Sequence, residues 1–124
     1  MPVTIKISVG GAVLKAELGD SECAKAIASK LPIETMPNVW GDEFYFEIPV
    51  KMGPDNTATT KVKVGDIGYW PPGHALAIFF GPTPMSSGAD PVPASEVNMV
   101  GRITDDATVL KNAKGKGKIR IERV

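Results

Sequence analysis

The sequence has little of what most metal and redox sites are built from. It contains one cysteine and one histidine, and its 14 basic and 14 acidic residues leave no formal net charge. Cys23 has no second cysteine for a disulfide or a Cys-x-x-Cys motif. His74 has no second histidine at the spacing that metal ligands need. The sequence therefore predicts no metal and no other cofactor.

Long apolar runs and charge of one sign are also absent. No apolar stretch approaches the roughly 20 residues that span a bilayer. The first residues alternate between apolar and polar like a strand, unlike the apolar segment of a signal peptide. A neutral chain lacks the basic surface that neutralises phosphates. We therefore expect a cytoplasmic protein that binds neither membranes nor nucleic acid.

Turn-forming residues, in contrast, are abundant. The 124 residues include 11 prolines and 13 glycines, while 43% of the residues are hydrophobic. This length and composition are typical of one globular domain, which we place at residues 1–124. Many turns in a single domain favour many short strands.

The first third of the chain predicts a hairpin followed by a helix. Residues 3–9 and 12–18 alternate in hydrophobicity on either side of Gly10-Gly11, which permits a tight turn. Residues 21–31 then carry apolar side chains at helical spacing, and Pro32 ends the pattern. The apolar stripe is mostly alanine, so this helix would lie close to a sheet or at a barrel mouth.

The middle of the chain predicts further strands. Residues 33–39 form an irregular connection, 44–50 a strand and 57–64 the strand that returns beside it. Residues 67–70 are a short aromatic strand, and after a Pro-Pro-Gly turn residues 75–80 form an entirely apolar one. The apolar strand should be covered on both faces.

The last third predicts a long loop and two more strands. Residues 83–95 are rich in proline and have no periodicity, so they are a candidate lid or rim. A strand follows at 97–103, Asp105-Asp106 cap a single helical turn through Leu110, and residues 119–121 form the closing strand. About eight strands and one principal helix predict a mainly β, closed or nearly closed antiparallel barrel. One core should contain Ile5, Ile7, Phe44, Phe46, Ile48, Leu76, Ile78 and Ile121.

Four motifs in this order resemble a known family. They are Trp40-Gly-Asp-Glu-Phe-Tyr-Phe46, Gly65-Asp-Ile-Gly-Tyr-Trp-Pro-Pro-Gly73, Phe79-Phe-Gly-Pro-Thr-Pro84 and Gly101-Arg-Ile103. Together they are similar to the small cyclophilin-like family of bacteria and archaea, once catalogued as a domain of unknown function. The resemblance spans nearly the whole chain and implies a cyclophilin-like β-barrel. It does not imply prolyl isomerase activity, because the Phe-His-Arg and Gln-Gly-Gly-Asp segments of true cyclophilins are missing.

Aromatic residues are the first candidates for a binding site. On a rigid barrel they would line an apolar site at the barrel mouth, although part of the set must belong to the core. The sequence therefore favours a non-catalytic or weakly catalytic module that binds a small molecule or an extended peptide. The aromatic candidates are Trp40, Tyr45, Tyr69, Trp70 and Phe80.

Three polar residues are further candidates, each with a simpler alternative. Glu43 is an acid or base in an aromatic pocket, or only the start of a strand. His74 is a general base or hydrogen-bond donor, or a turn residue. Arg102 clamps a carboxylate or phosphate, or forms an internal salt bridge. If both tryptophans lie on one rim, Glu43 and His74 should flank its opening.

Two other functions stay open. A peptidyl-prolyl isomerase would need a donor aimed at the prolyl nitrogen, and Arg102 is the one arginine outside the C-terminal strand. A homo-oligomeric scaffold would use the proline-rich loop and the basic C-terminal tail for contacts between protomers, and the uneven charge distribution would support such contacts. Residues 102–124 hold seven of the basic residues, and residues 17–55 hold eight of the acidic ones. These two segments could match between protomers.

Overall fold

The structure, a computed structural model, describes residues 2–124. Within this range there is one sheet of nine strands, a seven-residue α-helix and two 3₁₀ helices. The α-helix, α1, is Glu22–Ala28, and the 3₁₀ helices are Pro71–Gly73 and Ala107–Ala113. The strands are β1 (Val3–Val9), β2 (Ala12–Leu18), β3 (Ile33–Thr35), β4 (Asn38–Val39), β5 (Glu43–Glu47), β6 (Asp66–Trp70), β7 (Ala75–Phe79), β8 (Asn98–Ile103) and β9 (Ile119–Arg123).

The sheet is strongly curled and nearly closes on itself. Its strand order is β3-β9-β1-β2-β8-β6-β7-β5-β4, with antiparallel neighbours throughout. The two edge strands, β3 and β4, are joined in the chain by Met36 and Pro37 alone. Because Thr35 and Asn38 are three residue steps apart, their Cα atoms lie within about 11 Å of each other, so the two edges of the sheet must lie near each other there. The predicted nearly closed antiparallel barrel is confirmed.

The predicted opening hairpin and helix are both present. β1 and β2 pair from Val3 opposite Leu18 to Val9 opposite Ala12, around the two glycines. The side-chain oxygen of Ser21 accepts a hydrogen bond of 3.1 Å from the backbone N–H of Ala24, which caps α1. The helix ends at Ala28, three residues earlier than the apolar pattern suggested. Its buried small side chains let it lie close to the sheet.

One core fills the inside of the curled sheet. All eight residues predicted to share it are buried there. Ile78 is fully buried, and Phe44 packs against Phe80 with 4.8 Å between ring centroids. The alternation of apolar residues along the strands therefore predicted the inward face correctly.

The predicted strand at residues 57–64 is wrong. Residues of this segment make one isolated bridge, between Thr59 and Val97, and no ladder with the strand before it. β5 is already paired on both sides, with β7 over Glu43–Glu47 and with β4 at its start. β4 therefore occupies the edge of β5 at which a returning strand would begin to pair. Val62 of the segment packs with Phe79 and Val97 and not in the main core, so the segment crosses the outside of the sheet.

Side chains hold residues 50–55, which lead into this crossing segment, in place. The Tyr69 hydroxyl donates to the carbonyl of Val50 (2.6 Å) and accepts from the N–H of Met52 (3.1 Å). The fully buried Asn98 donates to the carbonyl of Gly53 (3.1 Å) and accepts from the N–H of Asp55 (2.9 Å). These bonds satisfy backbone groups that a ladder would otherwise pair.

Residues 33–39 were expected to be irregular but contain β3 and β4. Ile33 pairs with Ile121 on β9, and Asn38 pairs with Tyr45 on β5. Both strands are very short because the segment carries Pro37 between them. Together they bring the total to nine strands, where the sequence suggested about eight.

The C-terminal predictions are confirmed. Asp106 caps the 3₁₀ helix Ala107–Ala113 by accepting from the N–H of Thr108 at 3.0 Å. Gly101 lies directly against the carbonyl of Glu17 on β2, where a side chain would clash.

No helix of the described residues is long and apolar enough to cross a membrane.

Candidate ligand-binding site

The candidate site lies on the outer face of the sheet, across β5, β7 and β6. Glu43 is opposite Phe79, and Tyr45 is opposite Ala77, so these residues share one face. Their neighbours on β5, Phe44 and Phe46, belong to the inner core. Because successive side chains of a strand point to opposite faces, Glu43 and Tyr45 point outward.

A pocket of about 220 Å³ is formed on this face. Its walls are mostly apolar and aromatic, and its one carboxyl group belongs to Glu43. The lining residues come from three parts of the chain: β5 and the residues just before it, the end of β6, and the loop before β8. The lining residues are Trp40, Glu43, Tyr45, Trp70, Pro93, Ala94 and Val97.

Glu43 is the unusual group of the pocket. Its side chain is 6% exposed, and its Oε1 has no hydrogen-bond partner in the structure. Burial in apolar surroundings disfavours the charged carboxylate and raises the pKa of Glu43 from 4.5 to about 8. The carboxyl group is therefore mostly protonated at neutral pH.

The aromatic walls are held in fixed positions. The rings of Tyr45 and Trp70 meet edge to face, with 6.5 Å between centroids and 72° between planes. The indole Nε1 of Trp70 donates to the Ser95 hydroxyl at 2.7 Å. On its other side the indole lies against Gly73, where an added Cβ would come within 2.7 Å of the ring. The Trp70 ring is therefore held in place by Ser95 and Gly73.

The wall formed by Val97 depends on a glycine beneath it. A Cβ on Gly68 would lie 2.7 Å from the Cγ2 of Val97. Val97 is buried and also forms a backbone bridge with Thr59, with N–O distances of 3.0 Å in both directions. The glycine thus lets Val97 rest directly on β6.

The proline-rich loop at 83–95 reaches this face and supplies part of the rim. Thr83 donates its hydroxyl to the carbonyl of Val92, and Ser86 donates its hydroxyl to the carbonyl of Asp90 at 2.7 Å. Lys63 pairs with Asp90 at 2.9 Å. These bonds close the loop on itself and tie it to the crossing segment. Its predicted role as a rim agrees with this position.

The structure brings four of the eight candidate residues together. Trp40, Glu43, Tyr45 and Trp70 all line the pocket. The expected position was wrong, because their pocket lies on the outer face and not at the barrel mouth. The strand alternation that sends Phe44 into the core sends its neighbours to the outside.

The other four candidates lie elsewhere. Tyr69 and Phe80 are fully buried in the main core. His74 ends the 3₁₀ turn in a left-handed conformation with φ 48°, and its carbonyl accepts from the N–H of Ile48 at 2.9 Å. Arg102 is exposed on β8, and its Nη1 is 3.9 Å from the carboxylate of Asp66.

Glu43 and His74 do not flank one opening. Glu43 pairs with Phe79 at one end of β7, whereas His74 precedes Ala75 at the other end. The two ends of β7, Ala75 and Phe79, are four residue steps apart, which corresponds to roughly 14 Å. For a shared rim, the turn before Glu43 and the turn that ends at His74 would have to lie at the same end of the β5–β7 pair.

Sequence reasoning missed the part of the pocket that comes from the loop. Pro93, Ala94 and Val97 line it, and Ser95 holds the Trp70 indole. The only signal was the length and proline content of residues 83–95, which indicated a rim but no particular side chain. Small and apolar loop residues carry no chemical signature of their own.

The donor set does not fit a metal ion. Among residues 2–124 no three His, Cys, Asp or Glu side chains come together in a group that could hold one. The pocket has one carboxyl group, whereas hard cations take six or more oxygen ligands.

The class of protein follows from comparison with known sequences and structures. The sequence profile of the cyclophilin-like family matches residues 3–122, so the chain belongs to that family. The solution structure of a hypothetical protein from Archaeoglobus fulgidus is similar, with a TM-score of 0.75 and 34% sequence identity. This similarity covers 99% of the present chain and 95% of the archaeal one. No curated protein matches the sequence.

Proposed function

We propose that this cyclophilin-like protein is a binding module whose outer pocket holds a small molecule or one side chain of an extended peptide. The observation that carries the proposal is a pocket lined by three aromatic residues and by the buried carboxyl group of Glu43, whose Oε1 has no hydrogen-bond partner. Buried polar groups in folded proteins are nearly always hydrogen-bonded. A ligand would supply the missing partner of Glu43.

The size of the pocket supports a small ligand group. At about 30 Å³ for each water in the liquid, 220 Å³ is the room of roughly seven water molecules. Pockets for drug-sized ligands usually begin near 300 Å³. The pocket therefore suits a small molecule, or a single side chain of a peptide that continues over the rim.

Preorganisation also supports binding. Trp70 is fixed by Ser95 and Gly73, and Val97 is fixed by Thr59 and Gly68. A ligand that enters such a site does not have to order these walls, so less of its contact free energy is lost. Aromatic side chains then offer a large apolar contact area.

Catalysis of prolyl isomerisation is not part of the proposal. Arg102, the residue that this alternative depended on, pairs with Asp66 and does not line the pocket. A proline-peptide isomerisation assay at high protein concentration should show no acceleration. Acceleration that Glu43→Gln abolishes would contradict this part of the proposal.

The cytoplasmic location expected from the sequence stays a prediction.

A fragment screen read by tryptophan fluorescence tests the proposal, because Trp40 and Trp70 both line the pocket. The panel should contain small aliphatic, aromatic and amine fragments together with short extended peptides. We expect members of the panel to change the emission saturably. No response from any member at millimolar concentration would contradict the proposal.

Two matched variants locate the binding. Ala94 and Ala89 are both exposed alanines of the proline-rich loop, but only Ala94 lines the pocket. Ala94→Leu should fill the entrance and weaken binding at least about tenfold, equivalent to roughly 1.4 kcal/mol. Ala89→Leu should leave binding unchanged. Equal binding by both variants would place the ligand elsewhere.

A further inference from the structure

We infer that the group held in the pocket is a small organic cation of the alkylammonium type, with its charged end at Glu43 and its alkyl surface against the aromatic walls. The inference rests on the proposed function, because it names the chemistry of the ligand at the same site. It is carried by the arrangement of one unpartnered carboxyl oxygen within a ring of aromatic side chains.

The protein offers Glu43 no cation of its own. Within residues 2–124 the pocket lining contains no lysine, arginine or histidine, and the phenol of Tyr45 is the other titratable group there. Phe79, opposite Glu43 on β7, and the loop residues Ala94 and Val97 are uncharged. A positive charge for this carboxylate must therefore come from outside the chain.

Three lysines of the elements around the pocket are already paired with other carboxylates. Asp42, beside Glu43, is contacted by Lys111 at 3.7 Å and by Lys114. Lys63 is paired with Asp90 at 2.9 Å. None of these lysines lines the pocket, so their charges are used to fix the surrounding elements.

The aromatic walls select the kind of cation. A cation within about 6 Å of a ring centroid is attracted to the face of the ring, and tryptophan is the strongest partner. Trp40, Tyr45 and Trp70 line the same pocket as its single carboxyl group, so a cation bound at that group would lie among three aromatic side chains. An inorganic cation would lack its oxygen ligands here, whereas an alkylated ammonium group needs few hydrogen bonds and has an apolar surface. Recognition of quaternary ammonium groups uses the same combination.

Binding of a cation should be linked to proton release. The carboxyl group of Glu43 must lose its proton to pair with the cation, and burial raises the pKa of that group to about 8. At pH 6 about 1% of the free protein is ionised at this position, and at pH 9 about 90% is, so the cation should bind roughly 100-fold more weakly at pH 6. A neutral ligand that accepts a hydrogen bond from the protonated acid would show the opposite trend.

The experiment compares choline with 3,3-dimethylbutan-1-ol, in which carbon replaces the charged nitrogen. Affinities are measured by calorimetry at several pH values between 6 and 9. We expect choline to bind more tightly than the alcohol at pH 9, and its affinity to fall steeply toward pH 6. Choline binding at pH 7 should release a proton, which appears as a heat that depends on the buffer. This readout uses the unmodified protein.

The Glu43→Gln variant is the matched control, because it keeps the shape of the side chain and removes its charge. In this variant the preference for choline and its pH dependence should both disappear. Denaturant unfolding checks that the variant is folded.

Three outcomes overturn the inference. They are equal or tighter binding of the alcohol at pH 9, choline binding that does not weaken toward pH 6, and no binding of choline at millimolar concentration. Saturable binding of the alcohol in the pocket would still support the proposed function. Failure of the whole fragment panel would contradict both.

Discussion

At the scale of single residues, Glu43 is the group whose environment departs most from what its chemistry prefers. A carboxyl group is normally exposed or paired, yet this one is buried without a partner for Oε1. Residues that conflict with local rules in this way tend to be found at functional sites. The pH dependence of stability offers a test that needs no ligand.

Glu43→Gln should alter stability increasingly as the pH rises above about 4.5. Because burial raises the pKa of Glu43 from 4.5 to about 8, the folded protein keeps a proton between these values that the unfolded chain loses. The free energy of unfolding should therefore fall as pH rises through this window and level off above pH 8. At about 1.4 kcal/mol for each pKa unit, the variant should be about 3–5 kcal/mol more stable than the wild type at pH 9.

Urea denaturation at pH 4.5, 7 and 9 measures this effect. The two proteins should have similar stability at pH 4.5, where Glu43 is protonated in the folded state and glutamine is its neutral analogue. An advantage of the variant that is the same at every pH would show that the carboxyl group is not desolvated.

Tyr69 illustrates an aromatic residue with a structural role. Its hydroxyl joins β6 to the chain that leads into the crossing segment, through Val50 and Met52. Tyr69→Phe removes both bonds and should cost about 1–3 kcal/mol of unfolding free energy, because buried backbone groups lose their partner. Ligand binding should be unchanged when it is measured without denaturant and well below the melting temperature, where the variant is fully folded. A loss of binding without a loss of stability would return Tyr69 to the site.

At the scale of elements, the sequence predicted the strands better than their partners. The alternation in residues 3–9 and 44–48 marks the inward face correctly, since it records burial of individual side chains. The supposed strand at 57–64 has a suitable composition, but β5 is paired with β7 and β4 instead. Pairing depends on segments far apart in the chain, which local patterns do not encode.

The same limit applies to the site. Trp40, Glu43, Tyr45 and Trp70 could be chosen because aromatic rings and a carboxyl group have recognisable chemistry. The contributions of Pro93, Ala94 and Val97 arise only when the proline-rich loop folds onto the outer face. The face itself could not be predicted from Trp40 and Trp70 without knowing the strand register.

Gly68→Ala tests how the loop wall is supported. The new Cβ would lie 2.7 Å from the Cγ2 of Val97, which is buried and bridged to Thr59. Since Val97 cannot move freely, we expect a loss of about 1–3 kcal/mol in thermal or urea unfolding and weaker ligand binding.

Gly53→Ala is the matched control. No atom lies within 4 Å of a Cβ at this position, and the backbone does not have a positive φ. The control should change the free energy of unfolding by no more than about 0.5 kcal/mol. If Gly68→Ala is equally mild, the contact between β6 and Val97 is looser than described.

At the scale of the whole molecule, the C-terminal segment connects the sheet to the start of β5. The uneven charge distribution noted in the sequence is used within the chain. Lys111 and Lys114 contact Asp42, and Arg120 lies 3.4 Å from Glu34. These contacts pair the basic tail with the acidic segment of the same molecule. The homo-oligomer expected as one alternative stays a prediction, which light scattering can test.

Ile78→Ala measures how strongly the curled sheet depends on its central strand. Ile78 is fully buried and lies between Phe44 on β5 and Ile67 on β6. Truncation should cost about 2–5 kcal/mol of unfolding free energy. Val13→Ala, at a side chain 59% exposed, should cost less than about 0.5 kcal/mol. Similar values for the two variants would show that β7 is not in the interior.

The most direct test of the binding proposal is an NMR titration that follows both indole N–H signals and the Glu43 carboxyl carbon as fragments are added. We predict that a fragment that binds shifts the signals of Trp40, Trp70 and Glu43 together, with one dissociation constant, while His74 and Arg102 are unaffected. Shifts confined to His74 or Arg102, or no shift of either indole by any fragment at millimolar concentration, would contradict the proposal.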